Sequence, residues 1–315
     1  MMFSKIITLS LNPALDVTLW TETLMPDSDN IVQDERYDAA GKAVNVSRTL
    51  RYYDVDNLAI VLAGCHNLHR YGQQLRNERV HYRIITIEGY IRENISIVQP
   101  DRTVTRLLRE GFYVEYEAVD EIQKVLTESV EAGSLVVISG SLPKGINSRI
   151  FKQICAHIHS LGAKIALDTS SLVQEDIYEI KPWAIKPNYA ELCGIVGRKM
   201  ANWKEMVEIG RDMNAHGVEH CIISVGQEGL MYVGHDRAIR AEVPEIDVVS
   251  SVGAGDSALA GFIMSMQQGR DLENCVRMAT AFGTAACLTD GTNPPARLAT
   301  ANILQQVKLR EMDLA

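Results

Sequence analysis

The sequence contains no C-x-x-C pair and no cysteine–histidine spacing typical of a zinc site, although it has six cysteines in 315 residues. Its apolar runs are short, and the first of them is interrupted by Asn12 and Pro13. Neither a signal segment nor a membrane span is therefore expected. No internal repeat, low-complexity tract or long linker is visible. These absences predict a cytoplasmic protein whose cysteines are mostly buried free thiols.

Basic residues are also scarce relative to acidic ones. The chain has 31 Lys and Arg against 40 Asp and Glu, which gives a formal net charge of −9. Because no basic stripe is concentrated anywhere, this charge argues against nucleic acid as a partner. A small anion remains compatible with it, since a few cations and backbone amides can hold a phosphate on an acidic protein. The expected partners are therefore small molecules, with neither nucleic acid nor membrane.

Short apolar runs alternate with amphipathic stretches along most of the chain. Strands are predicted at residues 5–11, 57–64, 134–140, 163–169, 183–188 and 220–226. Helices are predicted at residues 43–53, 116–132, 147–162 and 271–288. This order predicts an α/β fold with a mostly parallel central sheet flanked by helices. Ligands of such sheets bind beyond the carboxyl ends of the strands, where this chain places Asn12, Asp16, Ser139, Gly140, Asp168, Lys186, Asn188, Ser224 and Gly226.

Two regions lack a helical stripe and break this alternation. Residues 91–111 alternate on both sides of a Pro100-Asp101 turn, which predicts a hairpin. We expect residues 16–37 and 91–107 to form a small antiparallel β-sheet lid. The α/β core would then comprise residues 1–15, 38–90 and 108–315. The outer face of the lid is a surface that a second subunit could cover, which predicts a homodimer through the lid.

The stretch Gly253-Ala254-Gly255-Asp256 precedes a helix pattern that is closed by Gly269. Unpaired N–H groups at a helix N-terminus attract anions, and glycine lets the backbone approach them closely. A carboxylate beside such a site can accept the proton of an alcohol that attacks phosphorus. An ordinary glycine-rich turn with an aspartate in the first helical turn explains the same four residues equally well.

Further polar candidates follow two other strands. Lys186 could contact a phosphate, while Asn188 and Glu191 could hold the waters of Mg²⁺, or Glu191 could be a first-turn helix charge. The segment from Ser224 to Gly229, which includes Gly226, could cradle phosphates, or it could be a hairpin turn.

The remaining candidates would face an acceptor molecule. Residues 39–50 form another small-residue turn entering a helix, and Lys42 lies in it. Asp16 could hold sugar hydroxyls or cap a turn after Pro13. Arg92 and Arg106 could bind a phosphate bidentately, or they could be solvated strand charges.

Seven segments occur in the order known from one family: "TLSLNPALDVT", "AGKAVNV", "VISGSLPKG", "KPNYAEL", "SVGQEG", "VGAGDSALAGF" and "DGT". The chain resembles the ribokinase-like (PfkB) sugar kinases nearly end to end, and within them the branch of phosphofructokinases, 1-phosphofructokinases and tagatose-6-phosphate kinases. The resemblance implies a ribokinase-like fold and the cofactors ATP and Mg²⁺. The implied reaction phosphorylates a ketohexose phosphate, namely fructose 1-phosphate, fructose 6-phosphate or tagatose 6-phosphate, to a bisphosphate.

The resemblance also assigns roles to residues of this sequence. It makes Asp256 the catalytic base and places the transferring group against Gly253, Ala254 and Gly255. The implied nucleotide and cofactor residues are Lys186, Asn188, Glu191, Ser224, Gly226, Gly229, Ala285 and Ala286, with Asn188 and Glu191 holding the metal through water. The implied substrate residues are Asp16, Gly41, Lys42, Asn45, Arg92, Arg106 and Ser139.

The chain departs from the family pattern at a few positions. Ala40 and Ala43 replace two glycines of the substrate loop. Ser250 stands where many relatives have Asp, so a bound monovalent cation is a possible cofactor with less support than ATP and Mg²⁺. The lid also lacks the Asn-x-Pro-Gly ending expected of 1-phosphofructokinases. Two alternatives therefore stay open: a kinase of an unphosphorylated sugar or nucleoside, and a non-catalytic sugar-phosphate sensor.

Overall fold

Two β-sheets of unequal size organise the chain in the computed structural model, which describes residues 1–313. The strands are, in chain order, β1 Ile6–Ser10, β2 Ala14–Trp20, β3 Asp34–Ala40, β4 Leu58–Gly64, β5 Tyr82–Ile87, β6 Arg92–Val98, β7 Val104–Leu108, β8 Leu135–Ser139, β9 Lys164–Asp168, β10 Ala184–Ile185, β11 His220–Ser224, β12 Leu230–Gly234, β13 Ala238–Glu242 and β14 Lys308–Met312. The helices are α1 Lys42–Tyr52, α2 Leu68–Asn77, α3 Glu117–Ser129, α4 Ser148–Ser160, α5 Gln174–Ile180, α6 Tyr189–Val196, α7 Trp203–Ala215, α8 Ala254–Gln267, α9 Leu272–Ala286 and α10 Arg297–Leu304.

The large sheet has ten strands in the order β14-β13-β12-β11-β10-β9-β8-β1-β4-β5. The strands from β11 to β5 pair in parallel, and β12, β13 and β14 add an antiparallel edge. This is the mostly parallel α/β architecture that the sequence predicts. The antiparallel edge and β5 were not predicted, although β12 is a fully buried apolar run of the kind that indicates a strand.

Alternating side chains of the central strands pack into two helical layers. Ile7 and Leu9 of β1 belong to the layer that contains Ile122 of α3, whereas Ile6 belongs to the opposite layer with Phe262 of α8. Burial on both faces explains why these strands are almost continuously apolar.

Side-chain caps define the beginnings of several helices. Asn147 accepts a hydrogen bond from the backbone of Ile150 at the start of α4, and Asp271 accepts one from the backbone of Asn274 at the start of α9. Both helix starts agree with the sequence prediction. Each cap satisfies a backbone N–H group that the helix itself leaves unpaired.

The small sheet has four strands in the order β3-β2-β6-β7. It is antiparallel except for its central pair, because β2 and β6 run in parallel with Ala14 opposite Arg92 and Asp16 opposite Asn94. Paired residues point to the same face of a sheet. This register therefore presents Asp16, Arg92 and Asn94 together. The division of the chain into a core and a separate lid stays a prediction.

The cysteines differ widely in burial. Cys155, Cys221 and Cys275 are buried, Cys193 and Cys287 are partly buried, and Cys65 is exposed. Among residues 1–313, no helix is both long enough and apolar enough to cross a membrane.

Gly229 is a position where the fold requires glycine. Its φ is +100°, and a Cβ there would lie 2.0 Å from the carbonyl oxygen of Ala241. We therefore predict that Gly229→Ala lowers the free energy of unfolding by about 2 kcal/mol or more, measured by urea denaturation.

The matched control is Gly194→Ala in α6, where a Cβ meets nothing within 4 Å. This variant should be neutral or stabilising by up to about 1 kcal/mol, because alanine is the better helix former. Equal free energies of unfolding for the two variants would contradict the assignment of strain to Gly229.

Candidate active site

A cleft of about 1360 Å³ opens between the carboxyl ends of the large sheet and the small sheet. Most of the predicted site residues line it: Asp16, Gly41, Lys42, Asn45, Arg92, Lys186, Asn188, Glu191, Ser224, Gly226, Gly229, Gly253, Ala254, Gly255 and Asp256. The sequence placed these residues in six separate segments. The fold brings them to one surface because neighbouring parallel strands end at the same edge.

The N-terminus of α8 forms the floor of this cleft. Gly253 precedes the helix in the left-handed conformation, with φ +79°, and Asp256 lies in the first helical turn. A Cβ on Gly255 would come within 2.8 Å of the Lys186 ammonium nitrogen. Glycine at position 255 therefore lets a buried cation lie against a helix end that already carries unpaired N–H groups. The two together form a site for an anion.

The Asp256 carboxylate is almost completely enclosed, with 4% of its surface exposed. Its Oδ2 accepts a hydrogen bond of 2.8 Å from Nδ2 of Asn45. Burial raises the pKa of Asp256 well above its usual range, and the nearby Asp168 raises it further, while Asn45, Lys42 and Lys186 partly offset this. A carboxylate with a raised pKa has a higher proton affinity, which suits a general base near neutral pH.

Two lysines connect the carboxylates of the cleft. The Lys42 ammonium lies 2.9 Å from Oε1 of Glu191 and 3.4 Å from Oδ1 of Asp168. Lys186 lies 3.5 Å from Oδ2 of Asp168. Burial alone would lower the pKa of Lys42, but Asp168, Glu191 and Asp256 raise it above its usual value. Lys42 is therefore firmly charged.

Asn188 and Glu191 form a reciprocal cap at the start of α6. The Glu191 backbone donates to Oδ1 of Asn188 over 2.8 Å, and the Asn188 backbone donates to Oε2 of Glu191 over 2.9 Å. The cap holds the Glu191 carboxylate against the cleft, near Asp168 and Asp256. Carboxylate oxygens are the donors that Mg²⁺ prefers, so the residues fit a hydrated magnesium ion. Glu191 also lies in the first turn of α6, so the alternative interpretation as a first-turn helix charge fits the same position.

The part of the cleft under the small sheet offers unpaired hydrogen-bond acceptors. Asn94 donates to Oδ1 of Asp16 over 2.8 Å. The side-chain oxygens of Asn94 and Asn45 are buried and have no hydrogen-bond partner within residues 1–313. Burial also raises the pKa of Asp16, chiefly by removing its carboxylate from water. Buried acceptors without partners favour a ligand that donates several hydrogen bonds, such as a polyol.

Arg92 supplies a cation beside these acceptors. Its guanidinium makes long hydrogen bonds of 3.4 Å to the carbonyl oxygens of Pro13 and Asn12. It takes part in no ion pair within the described part of the chain, residues 1–313, and burial lowers its pKa. An arginine held in place by carbonyl groups and without a carboxylate partner is available to a phosphate.

The opposite part of the cleft is lined by the turn at residues 224–229 and by acidic, polar and apolar side chains. Gly226 has a φ of +57°, and a Cβ there would meet nothing within 4 Å. Val225 donates to the carbonyl of Gly229 over 2.9 Å, so residues 224–229 are both a hairpin turn and a wall of the cleft. The other lining residues here are Glu242, Val243, Pro244, Glu245, Ile246, Asp247, Val248, Thr280, Gly283, Thr284 and Cys287.

Four predicted site residues do not line the cleft. Ala285 and Ala286 are 0% and 2% exposed, because they lie on the buried side of α9. Gly283 and Thr284 of α9 and Cys287, which follows it, line the cleft instead. Ser139 is buried and donates to Oδ2 of Asp168 over 3.2 Å, so it helps to position the Asp168 carboxylate and does not face the cleft itself. Arg106 lies on β7, the outer strand of the small sheet, where it pairs with Ser96 of β6. This strand lies beyond the strands that reach the cleft.

Neither Asn94 nor Asp168 was predicted as a site residue, although Asp168 is one of the polar residues at the strand ends. Asp168 contacts Lys42, Lys186 and Ser139. Its position one residue before the end of a predicted strand was the available signal. Asn94 could not be found this way, because its role depends on the parallel register of β2 and β6.

The fold and the cleft together define a phosphotransferase of the sugar kinase type. A sequence model described as "pfkB family carbohydrate kinase" matches residues 10–298. The chain belongs to this family, so it is a kinase that uses an alcohol group as acceptor.

Several curated proteins are similar over nearly the whole chain. A 1-phosphofructokinase of Rhodobacter capsulatus is 33% identical over 299 residues, 94% of this chain and 95% of that protein. A 1-phosphofructokinase of Vibrio cholerae is 29% identical over 98% of this chain and 97% of that protein. A D-tagatose-1-phosphate kinase of Bacillus licheniformis is 30% identical over 93% of this chain and 96% of that protein.

Solved structures agree with the fold. Phosphofructokinase-2 of Escherichia coli in complex with potassium has a TM-score of 0.88 at 24% identity, over 96% of this chain and 98% of that one. Its tetrameric inhibited form has a TM-score of 0.86 at 23% identity, over 96% of this chain and 98% of that one.

The hydrogen bond from Asn45 to Asp256 predicts a shift in pH dependence. If Asp256 must be ionised to act, kcat/KM rises with pH through its raised pKa. Asn45→Ala removes a donor that lowers this pKa, so the acidic limb of the kcat/KM profile should move to higher pH. The profile is measured between about pH 5 and 9.

Asn94→Ala is the matched control, because Asn94 lines the cleft but donates to Asp16 and not to Asp256. Its acidic limb should stay where that of the unmodified protein lies, even if KM rises. An unshifted limb in Asn45→Ala would rule out this role of the hydrogen bond.

Proposed function

We propose that this kinase transfers the γ-phosphoryl group of ATP to a hydroxyl of a ketohexose 1-phosphate, with fructose 1-phosphate as the first candidate. The observation that carries the proposal is the combination in one cleft of a buried carboxylate at a helix N-terminus, unpaired amide oxygens and an unpaired arginine. The first fits an alcohol that attacks phosphorus, the second fits sugar hydroxyls, and the third fits the phosphate already present. The names of the curated relatives support the 1-phosphate.

Asp256 would accept the proton of the attacking hydroxyl, and Asn45 would orient it. The Asn45 amide donates to Asp256, while its unpaired Oδ1 is free to accept from the same sugar. The N–H groups that follow Gly253 and the ammonium of Lys186 would stabilise the negative charge of the transferring group. The proposed base and the proposed N–H donors therefore both belong to the start of α8, and Lys186 adds a positive charge from the segment after β10.

ATP would supply the phosphoryl group, and Mg²⁺ would neutralise phosphate charge when bound. The residues proposed to hold them are Lys186, Asn188, Glu191, Ser224 and Gly226, with Gly283 and Thr284 of α9 and the following Cys287 in the place expected for Ala285 and Ala286. Ser250 donates no carboxylate, and its hydroxyl already accepts from the backbone of Val252 over 3.2 Å. A monovalent cation therefore has less support from this chain than Mg²⁺.

The small sheet would close over the sugar and exclude water, which would otherwise compete as acceptor. Arg106 shares a face with Ser96, next to Asn94, so closure would carry it toward the ligand. Exposed apolar side chains on the same sheet, Val104, Leu107 and Leu108, together with Ile31, support a second copy of the chain as partner. Location in the cytoplasm stays a prediction.

The general-base role predicts the effect of Asp256→Asn. The amide cannot accept the proton, so kcat should fall by at least about 100-fold. The same change removes a buried carboxylate whose pKa is raised in the folded state, a group that costs stability above its unfolded pKa. The free energy of unfolding at neutral pH should therefore rise.

The two measurements are a coupled ADP-release assay and urea denaturation. A loss of activity with increased stability separates a lost base from a damaged fold. A purified variant with near-normal kcat would rule out Asp256 as the base.

The phosphate-binding role predicts the effect of Arg92→Ala. Loss of a charge-assisted hydrogen bond should raise KM for fructose 1-phosphate by about tenfold or more, with a smaller change in kcat. The assay panel comprises fructose 1-phosphate, tagatose 1-phosphate, fructose 6-phosphate, tagatose 6-phosphate and fructose. Arg149→Ala is the control, because it removes the same charge from the exposed surface of α4.

Two results would change the proposal. If Arg92→Ala leaves KM unchanged for every accepted phosphosugar, the kinase of an unphosphorylated sugar or nucleoside is favoured. If no member of the panel is phosphorylated although ATP binds, the non-catalytic sensor is favoured.

A further inference from the structure

Cys65, His66 and Glu88 form a cluster outside the cleft. Cys65 and His66 follow β4, and Glu88 follows β5, the neighbouring parallel strand at the edge of the large sheet. Gly64 and Ile87 are paired across these strands, so the three residues emerge side by side. None of them lines the cleft, and all three are exposed.

The ligand atoms of the cluster converge. Sγ of Cys65 lies 3.4 Å from Nδ1 of His66 and 3.6 Å from Oε2 of Glu88. In a tetrahedral zinc site with Zn–S of about 2.3 Å and Zn–N or Zn–O of about 2.0–2.1 Å, sulfur lies roughly 3.5 Å from each other ligand. The two observed separations match that edge. Nε2 of His66 also lies 3.0 Å from Oε1 of Glu88, so the three side chains are in mutual contact.

The backbone around the cluster is held in place. The Cys65 amide donates to the carbonyl of Ile87 over 2.9 Å, and the His66 amide donates to the carbonyl of Gly89 over 3.0 Å. The imidazole of His66 packs edge-to-face against Tyr90 at 4.7 Å between ring centres. These contacts fix both segments that carry the ligands, which lowers the ordering cost of binding a metal.

The approach of the two segments is unusually close. A Cβ on Gly64 would lie 2.5 Å from the carbonyl oxygen of Gly89, so only glycine permits it. Asn67 continues the contact, since its side chain accepts from the Ile91 amide over 2.8 Å and donates to the Ile91 carbonyl over 2.9 Å. Ile91 precedes Arg92, the first residue of β6. The cluster therefore lies where the core leads into the small sheet.

We propose that Cys65, His66 and Glu88 bind one Zn²⁺ ion as three protein ligands with an open fourth position. Thiolate, imidazole and carboxylate together favour zinc over Mg²⁺, which prefers oxygen donors alone. The ion would join the end of β4 to the segment that leads into β6. This proposal concerns a site separate from the cleft and does not depend on the identity of the sugar.

The test is a zinc titration of the full chain against a chromophoric chelator, with excess Mg²⁺ present to occupy oxygen-only sites. One equivalent of zinc should bind, and Cys65→Ser, His66→Asn and Glu88→Gln should each weaken binding by at least about tenfold. His69→Asn and Cys193→Ser are the matched controls, because they change an exposed histidine three residues away and a cysteine on α6. Both should bind zinc within about twofold of the unmodified chain.

Two further measurements locate the ion. Co²⁺ in place of Zn²⁺ should give thiolate-to-metal charge-transfer absorption that Cys65→Ser abolishes and Cys193→Ser keeps. Zinc should also slow hydrogen exchange of the Cys65 and His66 amides in the unmodified chain but not in Cys65→Ser. Unchanged affinity in Cys65→Ser, or a bound ion without thiolate absorption, would overturn the proposal.

Discussion

The enclosure of Asp256 beside Asp168 is the interaction on which the rest of the site depends. Two buried carboxylates repel each other and lose hydration. The fold tolerates them because Lys42 pairs with Asp168 and Glu191, Lys186 pairs with Asp168, and both ammonium charges partly offset the raised pKa of Asp256. Such buried ion pairs add little net stability, but removing one member leaves an uncompensated charge. The cluster is therefore best understood as a device for reactivity. It raises the proton affinity of Asp256 and keeps two ammonium groups beside Asp168 in the cleft.

The core and the small sheet meet at a backbone contact that involves the substrate loop. Gly41 has a φ of +121°, and a Cβ there would lie 3.1 Å from Cα of Pro13. The carbonyl groups of Pro13 and Asn12 in turn hold the guanidinium of Arg92. The start of α1, the entry to β2 and Arg92 are thus one packed unit. A movement of the small sheet would act directly on the position of Lys42 and Asn45.

Local signals predicted much of the fold and part of the site. Apolar runs located six strands of the large sheet, and the caps at Asn147 and Asp271 located two helix starts, because these features depend on nearby residues alone. The positions of Asn94 and Arg106 depend on strand register, which the sequence pattern does not specify. The burial of Ala285 and Ala286 depends on which side of α9 faces the sheet, and the sequence pattern does not specify this either.

Of the two alanines in the loop at the start of α1, only Ala40 lines the cleft, and neither strains the backbone. Ala40 and Ala43 do not have positive φ, so neither position needs glycine for its conformation. Ala43 is completely buried in the first turn of α1, whereas Ala40 lines the cleft opposite Ala14. The methyl group of Ala40 therefore narrows this part of the cleft without disturbing Gly41, whose φ of +121° favours glycine. Because Asp256, Asn45 and Lys42 keep their contacts, this loop argues for altered substrate selection more strongly than for loss of catalysis.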